Sequence, residues 1–292
     1  MTLVREAERP SPIRPVEYVL LAYVGVVTVV AVARAGQRPE CLWLLVAHAF
    51  VVLLVYLVRR PGLGPVGHLI REVFPIVILL GLYSELDVLN GSGAVAVHDA
   101  LIQRWEFALF GFEPARDWWQ RAPSRFWSTV LHGAYLSYYF ILSVPAIWLL
   151  ARRRFRAVRG FVLSVLIAFV TCYLFFVFFP VAGPYYTYPH PTGMFVDNPA
   201  ARLVYAALAR GSSYGAAFPS SHVAAAIAAT IAGWRGSRRL GIVLAVPTTL
   251  LTVSVVYCQM HYAVDAIAGL IVGIAAAVAG GAIRTEPEAR TT

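Results

Sequence analysis

Eight continuous apolar stretches, at residues 15–34, 40–58, 69–89, 126–151, 160–180, 219–234, 240–258 and 262–283, decide what this chain can fold into. A helix needs about 20 apolar residues to cross the hydrocarbon layer of a bilayer. In lipid, only helices and closed barrels satisfy every backbone donor and acceptor. The stretches do not alternate between apolar and polar positions, which argues against barrel strands. The predicted fold is therefore all-α, a polytopic transmembrane helix bundle of about eight spans. Charged residues make up 13% of the 292 positions, against roughly a quarter in a soluble domain.

The net charge of +9 comes from arginine alone, since the chain has no lysine. A basic chain can bind nucleic acid, but these arginines are dispersed between apolar stretches and follow membrane topology, so no nucleic-acid partner is expected. Placing the N-terminus in the cytoplasm puts Arg5, Arg9, Arg14, Arg59, Arg60, the cluster from Arg152 to Arg159, Arg235, Arg238, Arg239, Arg284 and Arg290 on one side, fifteen in all. Eight fall on the other side: Arg34, Arg38, Arg104, Arg116, Arg121, Arg125, Arg202 and Arg210. The bias predicts that both termini are cytoplasmic. The first stretch follows basic residues and ends near Ala31-Val32-Ala33, as a signal peptide would, but its length favours a retained helix. Cys41, Cys172 and Cys258 are odd in number and widely spaced, and read as buried free thiols.

The chain divides into N-terminal helices over 1–89, a membrane domain over 90–283 and a short polar tail over 284–292, expected to be disordered. Within 90–125, Val97, Leu101, Trp105 and Leu109 recur every four residues with Asp99, Gln103 and Glu106 between them, which predicts a helix lying in the membrane interface. Residues 181–217 read as a Gly-, Pro- and Tyr-rich loop.

Ionisable groups at the rim of a membrane are costly and mark function. His222 opens the sixth span, and His261 and Asp265 open the eighth. Between them the chain descends one helix and climbs another, so both histidines lie on the outer face at similar depth. The i,i+4 spacing of His261 and Asp265 makes them neighbours on one helix face, where a carboxylate can orient an imidazole and raise its basicity. His222 stands at a helix N-terminus, which favours an anion. Pro219 suits a first helical turn because it has no N–H to leave unpaired. Isolated histidines are more often polar contacts between helices, the reading given to His48, His68, His98, His132 and His190. Two His and one Asp leave a metal site open as an alternative, although nothing adjacent supplies further ligands.

The strings GAAFPSSHVAAA (215–226) and YCQMHYAVDAIAG (257–269) resemble the second and third motifs of the type 2 phosphatidic acid phosphatase superfamily. FFPVAGPYY (178–186) and RWEFALFGFEP (104–114) are similar to segments of its branch containing the aureobasidin-sensitive inositol phosphorylceramide synthases. The resemblance spans about residues 95–280. It implies that His261 attacks phosphorus to form a phosphohistidine, with Asp265 fixing its tautomer. His222 would protonate the leaving oxygen and then activate water or an alcohol, while Ser220, Ser221 and nearby N–H groups hold the phosphate. No metal or other cofactor is implied.

The pattern departs from the superfamily's phosphatases in two places. Their first motif carries Lys and Arg, and this chain has no lysine. In the third motif a Ser is followed by Arg, whereas Ser254 is followed by Val255. Without these cations a singly charged phosphodiester is the better substrate. Transfer of a phospho-head group from a membrane phospholipid or polyprenyl-type lipid to an alcohol acceptor is therefore expected, with hydrolysis by the same site as the alternative. Arg202 and Arg210 are candidate replacements for the missing clamps, and Tyr185 and Tyr186 candidate lining of an acceptor pocket. The arginine-rich, lysine-free composition suggests a bacterial-type cell membrane, with the site on its extracytoplasmic side. From another class, a proton-coupled transporter would need midplane groups and repeat symmetry, and the sequence shows neither.

Overall fold

The computed structural model describes residues 11–91 and 95–283. Arg5, Arg9, Arg284, Arg290 and the tail expected to be disordered lie outside the described residues. The described residues form thirteen α-helices: α1 (Pro15–Arg34), α2 (Leu42–Leu57), α3 (Gly64–Asn90), α4 (Asp99–Phe110), α5 (Pro114–Arg121), α6 (Arg125–Leu136), α7 (Tyr138–Ala151), α8 (Phe155–Phe178), α9 (Pro184–Thr187), α10 (Pro199–Gly211), α11 (Ser221–Gly236), α12 (Arg238–Tyr257) and α13 (Ala263–Ala282). Among the described residues there is no strand, only an isolated bridge between Val181 and Ala216. The all-α polytopic bundle is the observed fold.

Among the described residues six helices are long and apolar enough to cross a membrane: α1, α2 with the 3-10 turn before it, α3, α8, α12 and α13. The fourth expected span is broken at Ser137 into α6 and α7, bent by 40°. The sixth is α11, only 16 residues long. It has no need to reach lipid on all sides, because α8, α12, α13 and α7 pack around it. Its alanines make that possible: Ala224, Ala225, Ala226, Ala228 and Ala229 are fully buried. On α13, Gly269 and Gly273 let the two helices nearly touch. A methyl group on Gly269 would meet the Ser220 carbonyl oxygen at 2.6 Å, and one on Gly273 the Ala224 carbonyl oxygen at 2.5 Å. Small residues at such crossings replace the hydrophobic driving force that lipid does not supply. Large apolar side chains such as Val29, Phe50, Leu80 and Ile271 face outward.

The arginine-rich turns share one end of the bundle. Arg59 donates to the Ser11 carbonyl, Arg154 to the Gly236 carbonyl, and Arg235 to the Ala277 carbonyl. Arg14 and Arg159 both pair with Glu72. At the other end, Arg34 donates to the Leu89 and Val177 carbonyls at 2.8 Å each. One guanidinium thus satisfies carbonyls at the C-termini of both α3 and α8, which helix geometry leaves unpaired. Since α1 ends and α13 begins at this second end, both ends of the described chain lie on the opposite, arginine-rich face.

The spacing expected of a two-faced helix is present in α4, where Asp99 and Glu106 are buried and Trp105, Phe107 and Leu109 are exposed. The polar groups face the protein because backbone N–H groups there need acceptors.

Candidate active site

His222 and His261 come together at the end of the bundle opposite the arginine-rich turns, with ring centroids 6.0 Å apart and planes at 58°. Two local devices hold them there. Ser220 caps α11, its hydroxyl accepting from the Val223 N–H at 3.4 Å, and its own N–H donates to the Asp265 carbonyl at 3.0 Å. That bond ties the start of α11 directly to the first turn of α13. Asp265 in turn closes a capping box, accepting the Tyr262 N–H on Oδ2 at 2.9 Å. The same oxygen lies 3.4 Å from Nδ1 of His261. This is a loose approach, and Nδ1 has no better-aligned acceptor among the described residues. The carboxylate therefore stands on the Nδ1 side of the ring.

The α11 start differs from the expected one. The helix begins at Ser221, so Pro219 precedes the cap rather than occupying the first turn. The Ser220 hydroxyl sets the boundary, and its bond to Val223 means that it is already engaged. Ser221 is buried at the helix start. The N–H groups of Ser221 and His222 have no acceptor within the helix, as expected for its first residues.

Two residues absent from the sequence reading frame His222. The break between α6 and α7 brings Tyr135 and Tyr138 against it, at ring-centroid distances of 5.0 and 4.5 Å. Tyr135 Oη lies 3.3 Å from Nε2 of His222, whose Nδ1 has no partner among the described residues. No local signal announces this pairing, since the tyrosines sit in an apolar stretch far along the chain from His222.

A second missed layer is the inner face of α4. Asp99 accepts the Ala182 and Gly183 N–H groups at 2.8 Å each and the Tyr262 hydroxyl at 3.0 Å. Gln103 donates to the Tyr262 hydroxyl at 3.0 Å. Glu106 accepts the Ala263 N–H at 2.7 Å, and its other oxygen is buried without a partner. Burial pushes the Glu106 carboxyl up to about 8, with the nearby Asp265 adding in the same direction against the Ala263 hydrogen bond. Spacing of three and four residues puts the three side chains on one face, a signal present in the sequence, although the spacing alone does not say what that face meets.

The remaining expected residues stand outside the histidine pair. Tyr185 stacks on His190 at 4.6 Å, and the Tyr186 hydroxyl donates to the Ser212 carbonyl at 2.9 Å. Arg202 is exposed and paired with Asp197, and exposed Arg210 lies in the last turn of α10. Among the described residues, no arginine pairs with or stacks on either histidine. Of the histidines read as helix contacts, His48 bridges Thr28 and Glu85 at 2.6 and 3.2 Å, and His98 stacks on Phe179. Cys41, Cys172 and Cys258 are free and buried. No group of three His, Cys, Asp or Glu among the described residues is arranged to hold a metal ion.

The family model described as PAP2 superfamily matches residues 100–279, from α4 to near the end of α13. The chain belongs to the PAP2 superfamily. No curated protein and no solved structure matches it. Membership in the PAP2 superfamily makes this an enzyme of the lipid phosphatase and phosphotransferase kind, acting on phosphate esters. Both histidines, Asp265, Gln103 and Glu106 fall within the matched residues, and Asp99 immediately precedes them.

Proposed function

We propose that this PAP2-superfamily chain transfers a phospho-head group from a membrane lipid to an alcohol, through a phosphohistidine on His261. One observation carries the reading: two imidazoles face each other across 6.0 Å at two helix starts, one of them backed by a buried carboxylate.

Nε2 of neutral His261 attacks phosphorus while Asp265 accepts the hydrogen bond from Nδ1–H. The bond from phosphorus to the leaving oxygen breaks, and protonated His222 delivers its proton to that oxygen. His222, now neutral, takes the proton of an incoming hydroxyl, whose oxygen displaces His261 and regenerates the starting state. The free N–H groups of Ser221 and His222 lie where negative charge gathers on the phosphoryl oxygens, and donors fixed there stabilise the transition state. Atoms and charges balance without a metal ion.

The electrostatics favour a phosphodiester substrate over a phosphate monoester. With Arg202 paired to Asp197 and no arginine among the described residues against the histidines, a doubly charged phosphate monoester lacks counter-charges. A phosphodiester carries one charge and needs fewer. This matches the resemblance to the inositol phosphorylceramide synthase branch. Residues 90–283 form the catalytic unit in this reading, residues 1–89 add membrane helices to it, and the arginine-rich face is cytoplasmic. The histidines then work on the extracytoplasmic side of a bacterial-type cell membrane.

Purified chain incubated with labelled phospholipids, with and without an added alcohol, tests the choice. Label appearing in a new phosphodiester supports transfer. Release of the labelled head group or phosphate at the same rate regardless of alcohol means that water is the acceptor and the transfer reading is wrong.

A further inference from the structure

At the end of the bundle opposite the histidines, where α1, α3 and α8 begin, a partly open pocket is lined by Arg14 and Val16 at the start of α1, Arg71 and Glu72 two turns into α3, and Arg159 and Val162 within α8. Arg71 binds Glu17 through Nε at 2.7 Å and Nη2 at 3.1 Å. Glu72 takes Arg14 at 3.0 Å and Arg159 at 2.8 Å. Among the described residues, three guanidiniums therefore meet two carboxylates, a balance of +1. Arg14 is only 8% exposed, and its Nε has no acceptor among the described residues. Burial holds Arg14 below the usual arginine value, and the charges of Arg159 and Arg71 add to this against Glu72. The helix N-termini contribute positive partial charge of their own. A buried positive excess of this kind is costly unless an anion meets it.

We propose that this pocket binds one phosphate-bearing anion, the head group of an anionic membrane lipid in the leaflet opposite the histidine pair. The two carboxylates already match two arginines, so one further negative charge closes the balance. The α7–α8 turn, which precedes Arg159, carries the exposed arginines Arg152, Arg153 and Arg154. Its wall also carries Val16 and Val162, apolar surface suited to the glycerol and upper acyl region of a lipid and of no use to a free ion. The site is independent of the reaction proposed above.

The test uses the full chain, lipid-depleted in detergent, with its thermal midpoint followed against short-chain phosphatidylglycerol, short-chain phosphatidylcholine and inorganic phosphate. A ligand at concentration L that binds only the folded state stabilises it by RT ln(1 + L/Kd), so the midpoint rises with ligand concentration above Kd. Phosphatidylglycerol is expected to raise it progressively and phosphatidylcholine much less, with phosphate inactive at equal concentration. Arg14→Gln and Arg159→Gln should each weaken the effect about tenfold or more, and His222→Ala should leave it intact. If Arg14→Gln does not fold, Arg159→Gln carries the test, because Arg159 is the more exposed partner. Equal stabilisation by phosphate alone would mean a free anion and overturn the lipid assignment. No stabilisation, or one indifferent to Arg14 and Arg159, would reduce the cluster to an ion-pair lock between helices. An effect lost in His222→Ala would place the anion at the histidines instead.

Discussion

Asp265 holds Oδ2 3.4 Å from Nδ1 of His261 while the same oxygen accepts the Tyr262 N–H at 2.9 Å. One carboxylate thus caps α13 and orients the ring beside it. The cap survives replacement by Asn, because an amide oxygen still accepts the Tyr262 N–H, but the negative charge does not. Asp265→Asn should therefore keep the thermal midpoint within a few degrees and lower kcat by about two to four orders of magnitude, as for other carboxylate-oriented histidines. An Asp265→Asn protein with near-normal kcat would show that the carboxylate serves the cap alone.

Glu106 gives a pH-dependent stability of definite sign. Its carboxyl titrates at about 8 in the folded chain against an ordinary value of 4.5. Below pH 4.5 it is protonated folded or unfolded, so it takes nothing from stability. Between pH 4.5 and 8 only the unfolded chain releases the proton, and stability falls as pH rises; above 8 the loss is complete and constant. Glu106→Gln keeps an acceptor for the Ala263 N–H and removes the titration. Thermal midpoints of the two proteins across pH 5–9 should diverge in favour of the variant as pH rises. Parallel curves would contradict the assignment.

Asp99 bonds to three donors from two separate segments. Asp99→Ala strands buried N–H groups at Ala182 and Gly183, each costing about 1–3 kcal/mol. Denaturation should show a loss of several kcal/mol, and Asp99→Asn a smaller one. Activity should fall further than stability explains, because Tyr262 follows His261 directly.

The contact of α11 with α13 leaves no room at Gly269. Gly269→Ala gains helix propensity of roughly 1 kcal/mol but forces a methyl against the Ser220 carbonyl. The strain should outweigh the gain, lowering the thermal midpoint and, by moving Ser220 away from Asp265, lowering kcat. Gly25 has open space around it, and Gly25→Ala is the control expected to do neither.

Much of this was legible in the sequence, for reasons that separate the easy features from the hard ones. The helix α1 runs over the expected 15–34, because uninterrupted apolar character has only one solution in lipid. Counting spans between His222 and His261 was enough to bring them to one face, since each crossing reverses the chain. The break at Ser137 was not legible, because apolar runs do not report a bend. The facing of α4 was not legible for a related reason. Amphipathic spacing identifies two faces of a helix but not which one meets protein, and here the polar face answers unpaired N–H groups on 182–183 and 263. The helix α10 was hidden inside a stretch that composition marked as loop, although Asn198 caps it by accepting the Ala201 N–H at 2.9 Å and Pro199 opens it.

The central claim is that His261 takes the phosphoryl group and His222 handles protons. The most direct measurement is rapid acid-free quenching during turnover of whichever ³²P-labelled phospholipid the chain consumes, followed by peptide mapping of any protein-bound label. The account predicts a base-stable, acid-labile adduct on His261, absent in His261→Ala. Turnover without such an adduct, or an adduct on another residue with full activity in His261→Ala, would contradict it.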